Sequence, residues 1–154
     1  MTNPRTLARR NWLDSGWEAA EPGMAAVTAV VSAGAQLRAR VDAILAPFGL
    51  TFPRYEVLSL LRFARSRALP LAKVAERLQI QPASLTHTVR KLVEDGHVAR
   101  TANPRDRRGG LISITDQGLA LVAAATPELN RFFASREVTA PDALLAQLDH
   151  LTKE

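Results

Sequence analysis

The stretch from Leu71 to Thr115, LAKVAERLQIQPASLTHTVRKLVEDGHVARTANPRDRRGGLISIT, constrains the fold of this chain more than any other. Leu71, Val74, Ala75 and Leu78 recur at the three- and four-residue spacing of one helix face, which predicts a short helix over 71–78. Gln79, Ile80 and Gln81 then form a turn. Pro82 stands at the first position of a second helix, where its missing N–H removes nothing the helix needs. That helix puts Leu85, Val89, Leu92 and Val93 on one side and Ser84, Thr86, His87, Arg90 and Lys91 on the other. Gly96 closes it in a left-handed conformation that other residues adopt at a cost. Two alternating segments follow, 97–102 and 111–115, with NPRDRRGG between them, and their period of two predicts a small hairpin with a charged tip. A helix, a tight turn, a second helix with a polar outer face and a basic hairpin form an arrangement suited to duplex DNA.

The flanks read as apolar helix. Residues 1–22 carry Pro4, Pro22, Trp12 and Trp17 and predict a loose arm with at most a short helical turn. The two tryptophans, five residues apart, do not share a helix face, so docking of the arm on the body or on a partner subunit is their simplest role. Val27, Val30, Val31, Leu37, Val41, Ile44, Leu45 and Phe48 mark an amphipathic helix from Gly23 that Pro47 and Gly49 end. A second helix, from Pro53 to about Ala64, is apolar on most sides and predicts burial. Residues 65–70 read as a loop. Thr115 is a good N-cap, with Asp116 favourable in the first turn of the helix beyond it. Pro127 is expected to bend or interrupt that helix. A last helix from about Pro141 carries a stripe of Leu144, Leu145, Leu148 and Leu151.

The chain's net charge of +5 is unevenly placed. Residues 71–115 hold eight basic residues (Lys73, Arg77, Arg90, Lys91, Arg100, Arg105, Arg107, Arg108) against four acidic ones (Glu76, Glu94, Asp95, Asp106). From Asp116 onward three basic residues face six acidic ones. A basic surplus on the central stretch, followed by an acidic C-terminal one, is the pattern expected when one face meets a polyanion. On the second helix Ser84 and Thr86 can bond phosphates or base edges, Arg90 and Lys91 can reach guanine or phosphate, and His87 can donate or accept. Arg105, Asp106, Arg107 and Arg108 form the hairpin tip, where arginines on a thin loop can enter a narrow minor groove. Asp106 is expected to pair with Arg108 and fix the loop.

Several function classes are excluded or disfavoured. The chain has no cysteine, which removes disulfides, thiolate catalysis and cysteine-based redox sensing. Its histidines, His87, His97 and His150, are not spaced as helical metal ligands, and no cofactor is expected. No nucleophile stands in a recognisable catalytic setting and no glycine loop follows a strand to cradle phosphate, so an enzyme is not expected. No apolar run reaches the roughly 18–20 residues of a membrane span. Arg5, Arg9 and Arg10 are not followed by the apolar block of a leader, which makes the cytoplasm the default compartment.

The segments LAKVAERLQIQPASLTHTVRKLVEDGHVAR, NPRDRRGGLISIT and TDQG together resemble the MarR-type winged helix-turn-helix regulators, over roughly residues 24–153. The resemblance implies a mainly α fold with a small β-hairpin wing. Residues 1–22 would be an arm, 23–50 and 116–154 a helical dimerisation region, and 51–115 the DNA-binding domain. It further implies a homodimer that reads a palindromic double-stranded site and usually represses transcription. Many such proteins release DNA when a small phenolic or anionic effector binds. By position, Ser84, Thr86, His87 and Arg90 match the recognition-helix contact face, and Asp106, Arg107 and Arg108 match the wing motif. For an effector pocket Trp17, Arg54 and Tyr55 are candidates that packing explains equally well. A winged-helix module that binds protein or serves as a dimer scaffold, without touching DNA, is the alternative.

Overall fold

The computed structural model describes the backbone of residues 3–103 and 106–153, and their side chains apart from those of 103 and 106–109. It divides into two compact units, one made of the stretches up to Arg40 and from Arg136 onward, the other of Val41–Ser135.

In the first unit, helix α1 spans Pro4–Asp14, where the sequence predicts a loose arm. The Asn3 side chain accepts from the Arg5 N–H at 3.0 Å, Pro4 stands at the helix start, and Leu7, Ala8, Arg9 and Arg10 are good helix formers. The helix has no buried residue, so it lacks the apolar period by which a sequence reveals a helix. It is latched instead by ion pairing: the Arg9 guanidinium bonds the Glu21 carboxylate, which is 5% exposed. That bond, and the charge behind it, raises the Arg9 pKa. Trp17 lies beyond the helix end, so the five-residue spacing is no obstacle to contact. It meets Trp12 edge-to-face with ring centroids 5.1 Å apart. Helix α2, Glu21–Leu45, leaves Val27, Val30, Val31 and Leu37 exposed in this unit. Helix α7, Pro141–Thr152, leaves Leu144, Leu145 and Leu151 exposed.

The second unit begins with the last turn of α2. A 3-10 turn at Ala46–Phe48 and Gly49, at φ 68°, end the helix where Pro47 and Gly49 predict. Helix α3, Phe52–Phe63, is capped by a side chain distant in sequence, the Phe52 N–H donating to Asp42 Oδ1 at 2.7 Å. Val57, Leu58 and Leu61 are buried, but Phe63 is 81% exposed, so α3 is not enclosed all round as its composition suggests. Residues 65–70, read as a loop, contain a strand, β1, Ala68–Pro70. Three residues are too few for alternation to show, and Pro70 is tolerated because the strand is an edge.

Helix α4, Leu71–Leu78, and helix α5, Pro82–Glu94, form where the sequence places them, joined through Gln79 in the left-handed conformation. Leu85, Val89 and Leu92 enter the core, whereas Val93, assigned to the same face, is 38% exposed. Strands β2, Val98–Asn103, and β3, Asp106–Ile114, make an antiparallel hairpin with β1 on the far side of β3. The second strand thus starts five residues earlier than the alternation at Leu111 suggests, with a register shift at Ala102/Asn103. Gly110 is not a turn residue. It pairs with Ala102, and a Cβ on it would meet Arg100 Nε at 2.6 Å, so its bare backbone makes room for the Arg100 side chain. Helix α6, Asp116–Ala134, runs through Pro127 without interruption. Pro127 is exposed, so the carbonyl one turn earlier that lacks its N–H can turn to water. Ile112, Ile114, Val122, Ala125 and Leu129 close one core with α3 and α5.

Candidate nucleic-acid interface

Burial of Leu85, Val89 and Leu92 fixes which face of α5 turns outward, and Ser84, Thr86, His87 and Arg90 lie on it, all exposed. The side chains on this face are already organised. Arg90 Nη2 lies 3.2 Å from His87 Nδ1, a contact in which the guanidinium can only donate. On its other side Arg90 Nε lies 3.9 Å from Glu94 Oε1. Thr86 Oγ1 donates to the Pro82 carbonyl at 2.9 Å, leaving its lone pairs outward, where they suit a base amino group better than a phosphate oxygen. Lys91 is drawn toward the helix end, with its Nζ 2.9 Å from Asp95 Oδ1 and 3.9 Å from Glu94 Oε2. The Lys91 ammonium bonded to it holds the Asp95 carboxyl below the usual carboxylate range. His87 and Arg90 therefore form a contacting pair, Lys91 is bonded to Asp95, and Glu94 lies between Arg90 and Lys91, at 3.9 Å from each.

What holds α5 against the hairpin is a knot of backbone bonds around Thr115. Its N–H donates to the His97 carbonyl at 3.1 Å. Its hydroxyl donates to the Gly96 carbonyl at 2.7 Å and accepts from the Gly118 N–H at 3.1 Å. One threonine thus ties the end of α5, the start of β2 and the first turn of α6. The N-cap was legible in the sequence; the second bond, nineteen residues back, had no local signal. Gly118 is the counterpart of this knot. A Cβ there would collide with the His97 carbonyl oxygen and lie 2.8 Å from Ile114 Cγ1.

The hairpin tip extends from this base. Arg105 and the side chains of Asp106, Arg107 and Arg108, with the expected Asp106–Arg108 pair, lie outside the described residues. The effector candidates have partners of their own: Tyr55 shares a hydrogen bond with Thr126 Oγ1 at 3.1 Å, Arg54 reaches the Gly49 carbonyl at 3.4 Å, and Trp17 packs on Trp12. Sequence reasoning passed over Arg62, Arg65 and Arg67, exposed around the turn into β1. Among the described residues no group of three or more histidine or acidic side chains is placed to hold a metal ion. No helix among them is long and apolar enough to cross a membrane.

The same architecture recurs in known proteins. Residues 50–109 match the model of the MarR family. The HTH-type transcriptional repressor Rv2887 of Mycobacterium tuberculosis is 36% identical over 92 residues, covering 60% of this chain and 65% of that protein, so the match spans slightly under two thirds of the relative's length. Sco3205, a MarR family transcriptional regulator from Streptomyces coelicolor solved in complex with DNA, shares the fold with a TM-score of 0.69 at 21% identity, over 82% of each chain. Sco5413, another MarR family transcriptional regulator from S. coelicolor, superposes with a TM-score of 0.75 at 41% identity, over 84% of this chain and 92% of its own. An identity of that size carried across nearly the whole of a family member, with the winged helix-turn-helix in place, establishes that this chain belongs to the MarR family.

Proposed function

We propose that this protein is a transcriptional regulator, acting as a repressor, that binds palindromic double-stranded DNA as a homodimer. The observation that carries the proposal is the outer face of α5, where His87 and Arg90 form an organised, exposed pair on a helix whose other face is locked into the core. A recognition helix needs this combination of rigid backing and free polar edge. In this reading α5 enters the major groove, with Ser84, Thr86, His87 and Arg90 at base edges and phosphates and Lys91 toward the backbone. Arg105, Arg107 and Arg108 of the wing reach the minor groove, and Asp106 orders them. The repressor name of Rv2887 and the DNA-bound structure of Sco3205 favour the same role.

Dimerisation is supported by apolar surface. Val27, Val30, Val31 and Leu37 on α2 and Leu144, Leu145 and Leu151 on α7 are all between 38% and 68% exposed, an expensive arrangement for a monomer in water. A dimer places two copies of α5 at the two halves of a palindrome. A small phenolic or anionic effector would then act by changing the distance between the copies.

A titration of labelled duplex from the region upstream of the gene, at two salt concentrations, tests the reading. Binding should weaken steeply as salt rises, because each neutralised phosphate releases counterions. If no salt-dependent binding to any duplex is found, the chain is a protein-interaction module or dimer scaffold instead. Light scattering that finds a stable monomer at micromolar concentration would refute the homodimer.

A further inference from the structure

We infer that the winged unit carries a docking patch for another protein, built from Arg62, Phe63, Arg65 and Arg67 and fitted to a short acidic segment with an apolar anchor. Phe63 is 81% exposed, the highest value among the exposed large apolar side chains described. Helix α3 ends on it, and the three arginines beside it in the chain are exposed as well. No acidic residue stands between Glu56 and Glu76, and none of the three guanidiniums has an ion-pair partner among the described residues. Lys73, the next cation along the chain, is by contrast paired with Glu76. A lone exposed phenylalanine is ordinary on a protein surface. Set among three uncompensated cations, it calls for a partner that offsets the charge and covers the ring together.

The turn that carries the patch is held at several points. The Arg67 N–H donates to the Ala64 carbonyl at 2.9 Å, the Arg67 carbonyl accepts from the Ile114 N–H at 3.1 Å, and Ser66 Oγ donates to the Ala68 carbonyl at 3.0 Å. Arg67 itself stands in the left-handed conformation at φ 53°, which a residue other than glycine adopts at a cost. A surface fixed in advance loses little order when a partner settles on it. Position separates the patch from the DNA-reading elements. Ala68 pairs with Ser113, so the turn stands at the base of the sheet, with Asp106 roughly 25 Å away along β3 at about 3.3 Å per residue. Strand β1 also flanks β3 on the side opposite β2, the strand into which α5 leads. A protein can therefore reach the patch while α5 and the wing are occupied, and the inference stands whether or not they bind DNA. Guanidinium offers carboxylates a planar fork of donors and offers an aromatic ring its flat face. One phenylalanine and three arginines fall well short of a standard interface, which marks the contact as transient.

Fluorescence anisotropy of the full chain at low salt tests it, with a labelled peptide that sets a Leu-Phe pair between runs of glutamate. The controls are the same peptide with the pair changed to serines and one with the glutamates changed to glutamines. The expected result is saturable binding of the first peptide, weaker with either control and weakened by added salt. Phe63→Ser should weaken it roughly tenfold or more and Arg65→Gln about two- to five-fold, and Arg90→Ala should leave it unchanged. The substituted side chains are all exposed, and matched circular dichroism spectra check that the variants fold. Absence of saturable binding up to millimolar protein, equal binding of either control, or binding indifferent to either patch variant overturns the proposal. Binding lost in Arg90→Ala or displaced by duplex DNA overturns it too, since the peptide would then occupy the DNA-reading face. So does a fall from dimer to monomer in Phe63→Ser by light scattering, which would assign the patch to a second copy of this chain.

Discussion

Replacing Gly118 by alanine is expected to destabilise the winged unit, against the usual sign for a helix. In an open helix glycine to alanine is favourable by about 0.5–1 kcal/mol, since alanine loses less backbone entropy. At Gly118 the added methyl collides with the His97 carbonyl and lies 2.8 Å from Ile114 Cγ1. The carbonyl cannot retreat freely, because it accepts the Thr115 N–H, and the next residue, Val98, is paired with Ile114 across the sheet. Overpacking of this kind costs about 1–3 kcal/mol, and contact with backbone places it at the upper end. After subtracting the propensity gain, a loss of about 2 kcal/mol remains, or roughly 4–8 °C in melting temperature for a chain of this length. Thermal melts at one fixed protein concentration give the shift. A Gly118→Ala protein that melts at or above wild type would show that α6 does not pack against the His97 carbonyl as described.

Four further variants address the reading surface. Arg90→Ala should cost about 1–3 kcal/mol at particular base pairs if it makes a bidentate contact, whereas Arg107→Ala or Arg108→Ala should weaken binding to many sequences alike; equal, sequence-blind losses for all three would refute that division of labour. The Asp95 carboxyl is held low by Lys91, so the pair's contribution to stability is present above the ordinary carboxylate pKa and lost as acid takes the pH down through the depressed value. Lys91→Gln should raise the Asp95 pKa toward that ordinary range when followed by NMR, and an unchanged titration would mean the ion pair does not form in solution.

The helix-turn-helix was legible because its signals are local. Pro82 and Gly96 punctuate α5, and Leu85, Val89 and Leu92 mark its inner face. The misses have physical reasons. Helix α1 buries no residue and is held by Arg9 and Glu21, twelve residues apart, so no buried face marks it in the sequence. Strand β1 exists because β3 offers it an edge, a tertiary cause that residues 68–70 do not encode alone. Gly110 reads as a turn, yet it serves the Arg100 side chain within a sheet. Thr115 was visible as a cap, but its bond to Gly96 depends on β3 returning beside the end of α5. Among the expected contact residues, Arg90 bonds His87 and Lys91 bonds Asp95, pairings three and four residues apart that the sequence permits without selecting.

If two copies of α5 read one palindrome, hydroxyl-radical footprinting of the protein on its upstream DNA should show two protected half-sites related by two-fold symmetry, their centres about one helical turn or a multiple of it apart, with flanking protection in the minor groove from the wings. A single unpaired half-site, or uniform protection with no boundary, would contradict it.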